Sequence, residues 1–333
     1  MLTIRSVLTI RSVLTIRSGG PLTTVQDRGR PGWAHVGVPR SGAADLPALT
    51  RANALVGNAA SAAALEVTLG GLVAVPDADV VIALTGARCR LSVDGVPVPH
   101  GAAVGVPAGA EIRVDAARAG VRAYLAVAGG VAVEPVLGSR STDTLSGLGP
   151  ARVRDGDRLP LGSGGARPSD DAGPDASGRP VATDRAERED TWVSDGELDL
   201  DGVRAGFAAR QVVEPEIPPE PVLRVHPGPR EDWFTPEAVE TLYVTGWTVT
   251  PQSDRVGARL DGPPLARAVS DELPSEGMVA GALQIPPSGP VLFLADHPVT
   301  GGYPVIGVVD PDDLWLAAQA PPGTVLRLRR LDS

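Results

Sequence analysis

Short apolar runs, each closed by Gly, Pro or Asp, follow one another along most of this chain. In the first half they read ALEVTLGG, DVVIALTG, CRLSVDG, AAVGVPAG, EIRVDAA and VRAYLAVAGG, and the strand-like ARVRDGDRLPLG closes the half. Strands this short, with turn residues every few positions, predict a barrel or sandwich. One segment breaks the pattern. Leu46, Leu49, Ala52 and Leu55 keep a three-and-four spacing after Asp45, with Pro47 in the first turn and Gly57-Asn58 beyond, so a capped helix is expected there. In the second half Val222 to Val225, VLFLA, VIGVV and VLRLR read as strands. Thr235-Pro236 and Asp310-Pro311 each mark a helix start by the cap-then-proline rule.

Between these elements lie segments with neither period. Thr23 to Asp45, with four glycines, two prolines, three arginines and two aspartates, reads as a long polar loop pinned to a core by Trp33, Val36 and Val38. Ser163 to Asp190 is Gly, Pro, Ser, Asp and Ala with almost no large apolar residue, the composition of a linker or disordered insertion. At the start the hexad LTIRSV is written almost three times over, too short a unit for a solenoid. A biological start near Val13, or else expansion of a coding repeat, is expected, and the intact mass of the natively expressed protein decides between them. The expected organisation is a disordered extension over 1–12, a β domain over 13–162, a disordered linker over 163–190 and a second β domain over 191–333.

Composition narrows the chemistry. The 333 residues are 43% hydrophobic but only 3% aromatic, and Gly 40 with Pro 33 breaks the chain too often for long helices. No lysine occurs, so all 30 basic residues are arginines. That excludes a Walker-type phosphate loop, a Schiff base and a covalently attached biotin on this chain. A net charge of −10 with scattered arginines gives no basic stripe for nucleic acid. Cys89 stands alone, so no disulfide framework exists, and it reads as core filling. Nothing resembles a signal peptide or membrane span, and a cytoplasmic enzyme or enzyme component is expected. His35, His100, His226 and His297 lack metal-ligand spacing, and the G-x-S-x-G, G-x-G-x-x-G and H-E-x-x-H patterns are missing.

What remains are polar clusters in loops: Gln26/Asp27/Arg30, Ser41/Asp45, Arg140/Asp143, Ser253/Asp254/Arg255, Ser275/Glu276, Gln284 and Asp296/His297/Thr300/Tyr303. Carboxylate, hydroxyl and guanidinium together can polarise a carbonyl, orient water or hold an anion. Turns, caps and surface ion pairs use the same residues. Glu66, inside ALEVTL, reads as a strand residue facing solvent, with a site role as the less favoured alternative.

GPLTTVQDRGRPGWAHVGVPRSGAAD, NALVGN, ALEVTLGG, SDRVGARLDGP and SEGMVAGALQIPPSGPVLFLADHPVTGGYP together resemble the biotin-dependent carboxyltransferase family, in particular its branch of bacterial 5-oxoprolinase C subunits, also called KipA-like or allophanate hydrolase subunit 2. The likeness covers nearly everything from Leu14 to Leu328 except the linker. It implies a mainly β fold of two cyclophilin-like barrel-type domains with a few short helices. It also implies work with two partners, a KipI-like B subunit and an A subunit: 5-oxoproline, ATP and water give glutamate, ADP and phosphate. Phosphorylating the lactam oxygen would make a leaving group before water attacks. ATP with Mg2+, held on this chain or on a partner, is the implied cofactor.

Two further branches stay open. One is a carboxyltransferase component of a biotin-dependent urea carboxylase, the other a non-catalytic partner of a KipI-like regulator. Many relatives read Q-T-T-G-G-Y-P-K where this chain has Pro298, Val299, Thr300, Gly301, Gly302, Tyr303, Pro304 and Val305, and the lost lysine counts most against the carboxyltransferase branch. From residue type and motif position, Asp296, Glu276 and Tyr303 are the catalytic candidates, with Asp296 or Glu276 as base. Gln26, Asp27, Arg30, Arg140, Arg255, Gln284 and Thr300 are the substrate and anion binders, Arg30 and Arg255 acting as clamps. No metal ligands are expected. Asp27, Arg30, Arg255, Glu276, Gln284, Asp296 and Tyr303 are expected to line one cleft.

Overall fold

The computed structural model describes residues 12–163, 193–194, 197–198 and 212–331. The extension expected over 1–12 and the linker expected over 163–190 lie outside them, Ser12 and Ser163 excepted. The described fold is mainly β.

The first half forms two sheets around a shared core. One orders its strands Arg158–Pro160, Val13–Gly19, Leu72–Pro76, Ile112–Val114, Leu91–Val93 and Val96–Val98; the other orders Leu22–Gln26, Ala64–Thr68, Arg122–Val127, Val80–Gly86 and Ala103–Val106. Leu14, Ile16, Leu72 and Ile112 of the first sheet meet Leu65, Val67, Ile82, Leu84 and Leu125 of the second. Helix α1 (Leu46–Leu55) covers the other face of the second sheet, packing Ala48, Leu49 and Ala52 against Ala64, Val81, Ala83, Tyr124 and Ala126. Covered on both faces, Val80–Gly86 and Arg122–Val127 are buried along their whole length.

Two expectations change here. Thr23 to Gln26 is buried strand rather than loop, because its polar side chains find partners inside, such as Thr23 Oγ1 on the Gly19 carbonyl. Glu66 does not face solvent; its strand lies between two others and its carboxylate is fully buried.

The second half closes into a seven-stranded barrel of Val222–Pro227, Val305–Val309, Ala282–Gln284, Val291–Phe293, Gly257–Asp261, Gly246–Val249 and Val325–Arg330. The parallel pairing of Val222–Pro227 with Val325–Arg330 seals it, leaving no edge. Side chains fill it, among them Leu223, Trp247, Leu260, Leu283, Leu292, Ile306 and Leu326. Helix α2 (Pro236–Val244) starts at the Thr235 cap, whose hydroxyl accepts from Ala238 N. Asp310 opens a short 3-10 turn before helix α3 (Leu314–Ala318).

Candidate functional site

The two halves meet across exchanged polar side chains. Arg255, in the loop before Gly257–Asp261, is 1% exposed and reaches both ways. Its Nε and Nη2 donate to Asp296 of its own half at 2.9 and 3.0 Å, its Nη1 to Glu66 of the other half, and its Nη2 also to the Gly42 carbonyl at 2.6 Å. Asp296 in turn accepts from Ser41 Oγ at 2.6 Å and from Thr144 N and Oγ1 at 2.9 and 2.7 Å, all on the first half. The second Glu66 oxygen accepts from Tyr124 Oη at 2.7 Å and Ala44 N at 3.1 Å. Each half thus lends a carboxylate to one arginine.

These contacts correct two assigned roles. With its donors spent on protein partners, Arg255 has no free face to clamp a substrate anion. Burial alone would raise the Asp296 carboxyl, but the Arg255 guanidinium and the hydroxyl and amide donors outweigh it and hold the group below its ordinary range. A carboxylate so stabilised is a poor base; it is half of an ion pair.

Asp27 is likewise occupied. Its oxygens accept from Gly29 N, Ser139 Oγ, Ser141 Oγ and Arg140 N, which ties the loop after Gln26 to the 139–141 turn. Arg30 donates from Nε to the Val136 carbonyl and from Nη2 to that of Ser141, while Gln26 Nε2 donates to Thr24 Oγ1 and the Thr142 carbonyl. Buried charge and amide, rather than an apolar plug, pin this loop: Trp33 and Val36 are exposed. Yet Gln26 Oε1, Arg30 Nη1 and Thr142 Oγ1 are buried without a hydrogen-bond partner among the described residues, so this corner keeps unspent polar atoms. Asp143 caps its own turn through Leu145 N and Ser146 N, and Arg140 Nε donates to Val133 O beside a separate cavity.

Glu276, Gln284, Thr300 and Tyr303 form another group. Glu276–Gly277 pairs with Thr300–Gly301 in a two-stranded ribbon, and Gln284 Nε2 donates to the Tyr303 carbonyl at 3.1 Å. The Arg230 guanidinium grips the Glu276 carboxylate through Nε and Nη2 and lowers its pKa, which weakens it as a base. Val305 is buried among Met278, Ala282, Val291 and Phe293, a place suited to an apolar side chain. Among the described residues no hydrogen bond joins this ribbon to the Arg255 joint.

Beside the joint lies a cleft of about 190 Å³ whose walls come from both halves, including Arg28, Arg40 and Ser41 from one and Ala280, His297 and Trp315 from the other. It is smaller than the ~300–1,000 Å³ typical of drug-sized sites. Arg28 and Arg40 are exposed at its mouth and have no ion pair among the described residues. His297 is 7% exposed and stacks at a tilt on Phe293. Its Nδ1 lies 2.8 Å from the Pro298 carbonyl, which can only accept, so Nδ1 carries the proton and Nε2 is left with a lone pair. Burial lowers the His297 pKa and keeps the ring neutral. Metal-ligand spacing, the signal sought among the histidines, does not mark His297; its position beside Asp296 was the available one. Nothing in residue type singled out Arg28 or Arg40.

Comparison with known proteins fits this architecture. A family model for the carboxyltransferase domain, subdomain A and B, matches residues 36–330. The C subunit of Escherichia coli 5-oxoprolinase is 35% identical over 308 residues, 91% of this chain and 86% of its own length. The crystal structure of TTHA0988 superposes with a TM-score of 0.76 at 34% identity, covering 96% of this chain and 56% of that one. The urea amidolyase of K. lactis superposes with a TM-score of 0.79 at 26% identity, covering 96% of this chain but 19% of the larger protein. The chain belongs to the carboxyltransferase domain family defined by subdomains A and B.

Proposed function

We propose that this chain is the C subunit of an ATP-dependent 5-oxoprolinase, which opens the cyclic amide of 5-oxoproline to glutamate together with the A and B subunits. The observation that carries the reading is the 35% identity to the Escherichia coli C subunit over 86% of that protein's length. No residue cluster among the described residues favours this chain as the holder of a nucleotide phosphate with its Mg2+. Lysine is missing from the sequence, and among the described residues no three His, Cys, Asp or Glu side chains gather as ligands. ATP is therefore assigned to a partner.

This chain's part is to hold the lactam in the cleft between its halves. Arg28 and Arg40 meet the substrate carboxylate. The free Nε2 of neutral His297 accepts the ring N–H and fixes which face of the amide is presented. The Glu276–Tyr303 ribbon, with Thr300 and Tyr303 exposed, offers hydroxyls to a partner.

The likeness to urea amidolyase favours a second reading, a carboxyltransferase component; the buried Val305 and the missing lysine speak against it. Glutamate release from 5-oxoproline and ATP by this chain with its A and B partners tests the proposal. Turnover is expected only with the full set. Inactivity of that set, with carboxylation of urea once a biotin carboxylase is supplied, would move the chain to the second reading.

A further inference from the structure

The cleft between the halves has apolar walls that the polar contacts assigned above leave unused. Leu46 and Pro47, in the first turn of α1, border it from the first half, and Leu314 and Trp315, in α3, border it from the second. Leu46, Leu314 and Trp315 are half-buried, so each keeps surface for a ligand.

These walls are fixed in place. Helix α3 is only five residues long, but both of its ends are tied. Just before it, Asp313 accepts from Arg224 Nε and Nη2 at 2.8 and 2.9 Å and from Arg224 N at 2.7 Å. Just after it, Gln319 N donates to the Trp315 carbonyl at 2.9 Å, and Gln319 Nε2 donates to Asp45 Oδ2 at 2.8 Å. Asp45 is the cap of α1, its Oδ1 accepting from Ala48 N at 2.8 Å. One buried hydrogen bond therefore fastens the helix that carries Leu46 and Pro47 to the end of the helix that carries Leu314 and Trp315. Walls tied in this way do not part cheaply for a larger ligand.

Apolar walls gain only by covering apolar surface, and what they cover here rests on the lactam reading given above. With the carboxylate on Arg28 and Arg40 and the ring N–H on His297, what remains of 5-oxoproline is its carbonyl and two ring methylenes. The methylenes are the part that such walls recognise by burial. Urea carries none. A cleft of about 190 Å³ also leaves little slack beyond a single small ring.

We propose that Leu46, Pro47, Leu314 and Trp315 gauge the ring, admitting a five-membered cyclic amide and turning away its larger homologues, with Trp315 as the specificity-determining residue. The indole covers the ring methylenes and takes the space that a sixth ring atom needs.

The test compares 5-oxoproline with its six-membered homologue, 6-oxopiperidine-2-carboxylate, on the complex of this chain with its A and B partners, following release of glutamate or 2-aminoadipate. The unsubstituted complex is expected to favour the five-membered ring in kcat/KM by at least about tenfold, the low end of what one methylene decides in an apolar pocket. Trp315→Ala should shrink that preference by about tenfold, its loss on 5-oxoproline falling on KM more than on kcat, and Trp315→Phe should restore most of it. Leu46→Ala, on the other helix, should shift the preference the same way, and it decides the question if Trp315→Ala fails to assemble. Turnover of both rings without preference, or a preference untouched by the substitutions at Trp315 and Leu46, would overturn the gauge and leave the 5-oxoprolinase reading standing. Inactivity of the full set on 5-oxoproline would overturn both.

Discussion

Arg255 shows how one side chain can be legible by type and illegible by role. Its guanidinium answers Glu66, Asp296 and the Gly42 carbonyl at once, so removing it strands two buried carboxylates. Arg255→Met is expected to cost about 3–5 kcal/mol, read as a lower urea midpoint. Asp45 behaves oppositely to Asp296. Burial pushes its carboxyl from 3.8 up to about 6, against the opposing bonds from Gln319 and Ala48 N. Between those values the folded state keeps a proton that the unfolded state has lost, so this group makes stability fall as pH rises from about 4 to about 6, by on the order of 3 kcal/mol. Asp45→Asn keeps a capping oxygen and should flatten that fall in urea titrations across the window. The depressed Asp296 contributes the reverse, stability present above its unfolded pKa and lost as pH drops through its lower folded value. At the cleft, His297→Ala is expected to lower turnover of the reconstituted complex by about tenfold or more while leaving its assembly intact, since binding and orientation pass through Nε2.

At the scale of elements, caps and turns were readable and strand environments were not. Asp45 accepts from Ala48 N and Thr235 from Ala238 N, as the cap-then-proline pattern predicts. Thr235→Ala should destabilise the barrel half by about 1 kcal/mol in chemical denaturation. Glu66 was misread because alternation along one strand cannot tell whether a second layer covers its outer face; α1 and the other half of the chain do so here. The loop from Asp27 to Asp45 depends on backbone approach as much as on side chains. Gly149 has φ +84°, and a Cβ there would run into the Ser141 carbonyl beside Arg30 Nη2. Gly149→Ala is therefore expected to cost at least about 1 kcal/mol and to loosen the 139–149 turn, visible as faster amide exchange at Thr142 and Ser141.

For the molecule as a whole, the joint between the halves is the decisive feature. Gln319, at the end of α3, accepts from Val121 N and Arg122 N through Oε1 and donates through Nε2 to Asp45 Oδ2 and the Arg122 carbonyl. Gln319→Ala removes the partner of the Val121 and Arg122 amides and of Asp45 Oδ2, while the Arg122 carbonyl keeps its bond from Ala87 N, and should lower stability by about 3 kcal/mol or more. Unfolding followed by tryptophan fluorescence should then separate from unfolding followed by far-ultraviolet dichroism, because the halves lose a shared bond set. The sequence by itself determined the β class, α1 and its cap, the absence of lysine chemistry and, through long motifs, the resemblance to a family. Those properties are local: they depend on period, turn residues and composition over stretches of a few residues to a few tens. Only the tertiary structure decided that Arg255 and Asp296 are spent on the joint, that Arg230 grips Glu276, and that Arg28, Arg40 and His297 share a cleft. The reason is that these partners lie far apart in the chain, Ser41 and Asp296 by 255 residues, and whether a charged side chain is free or neutralised depends on which distant group the fold brings against it.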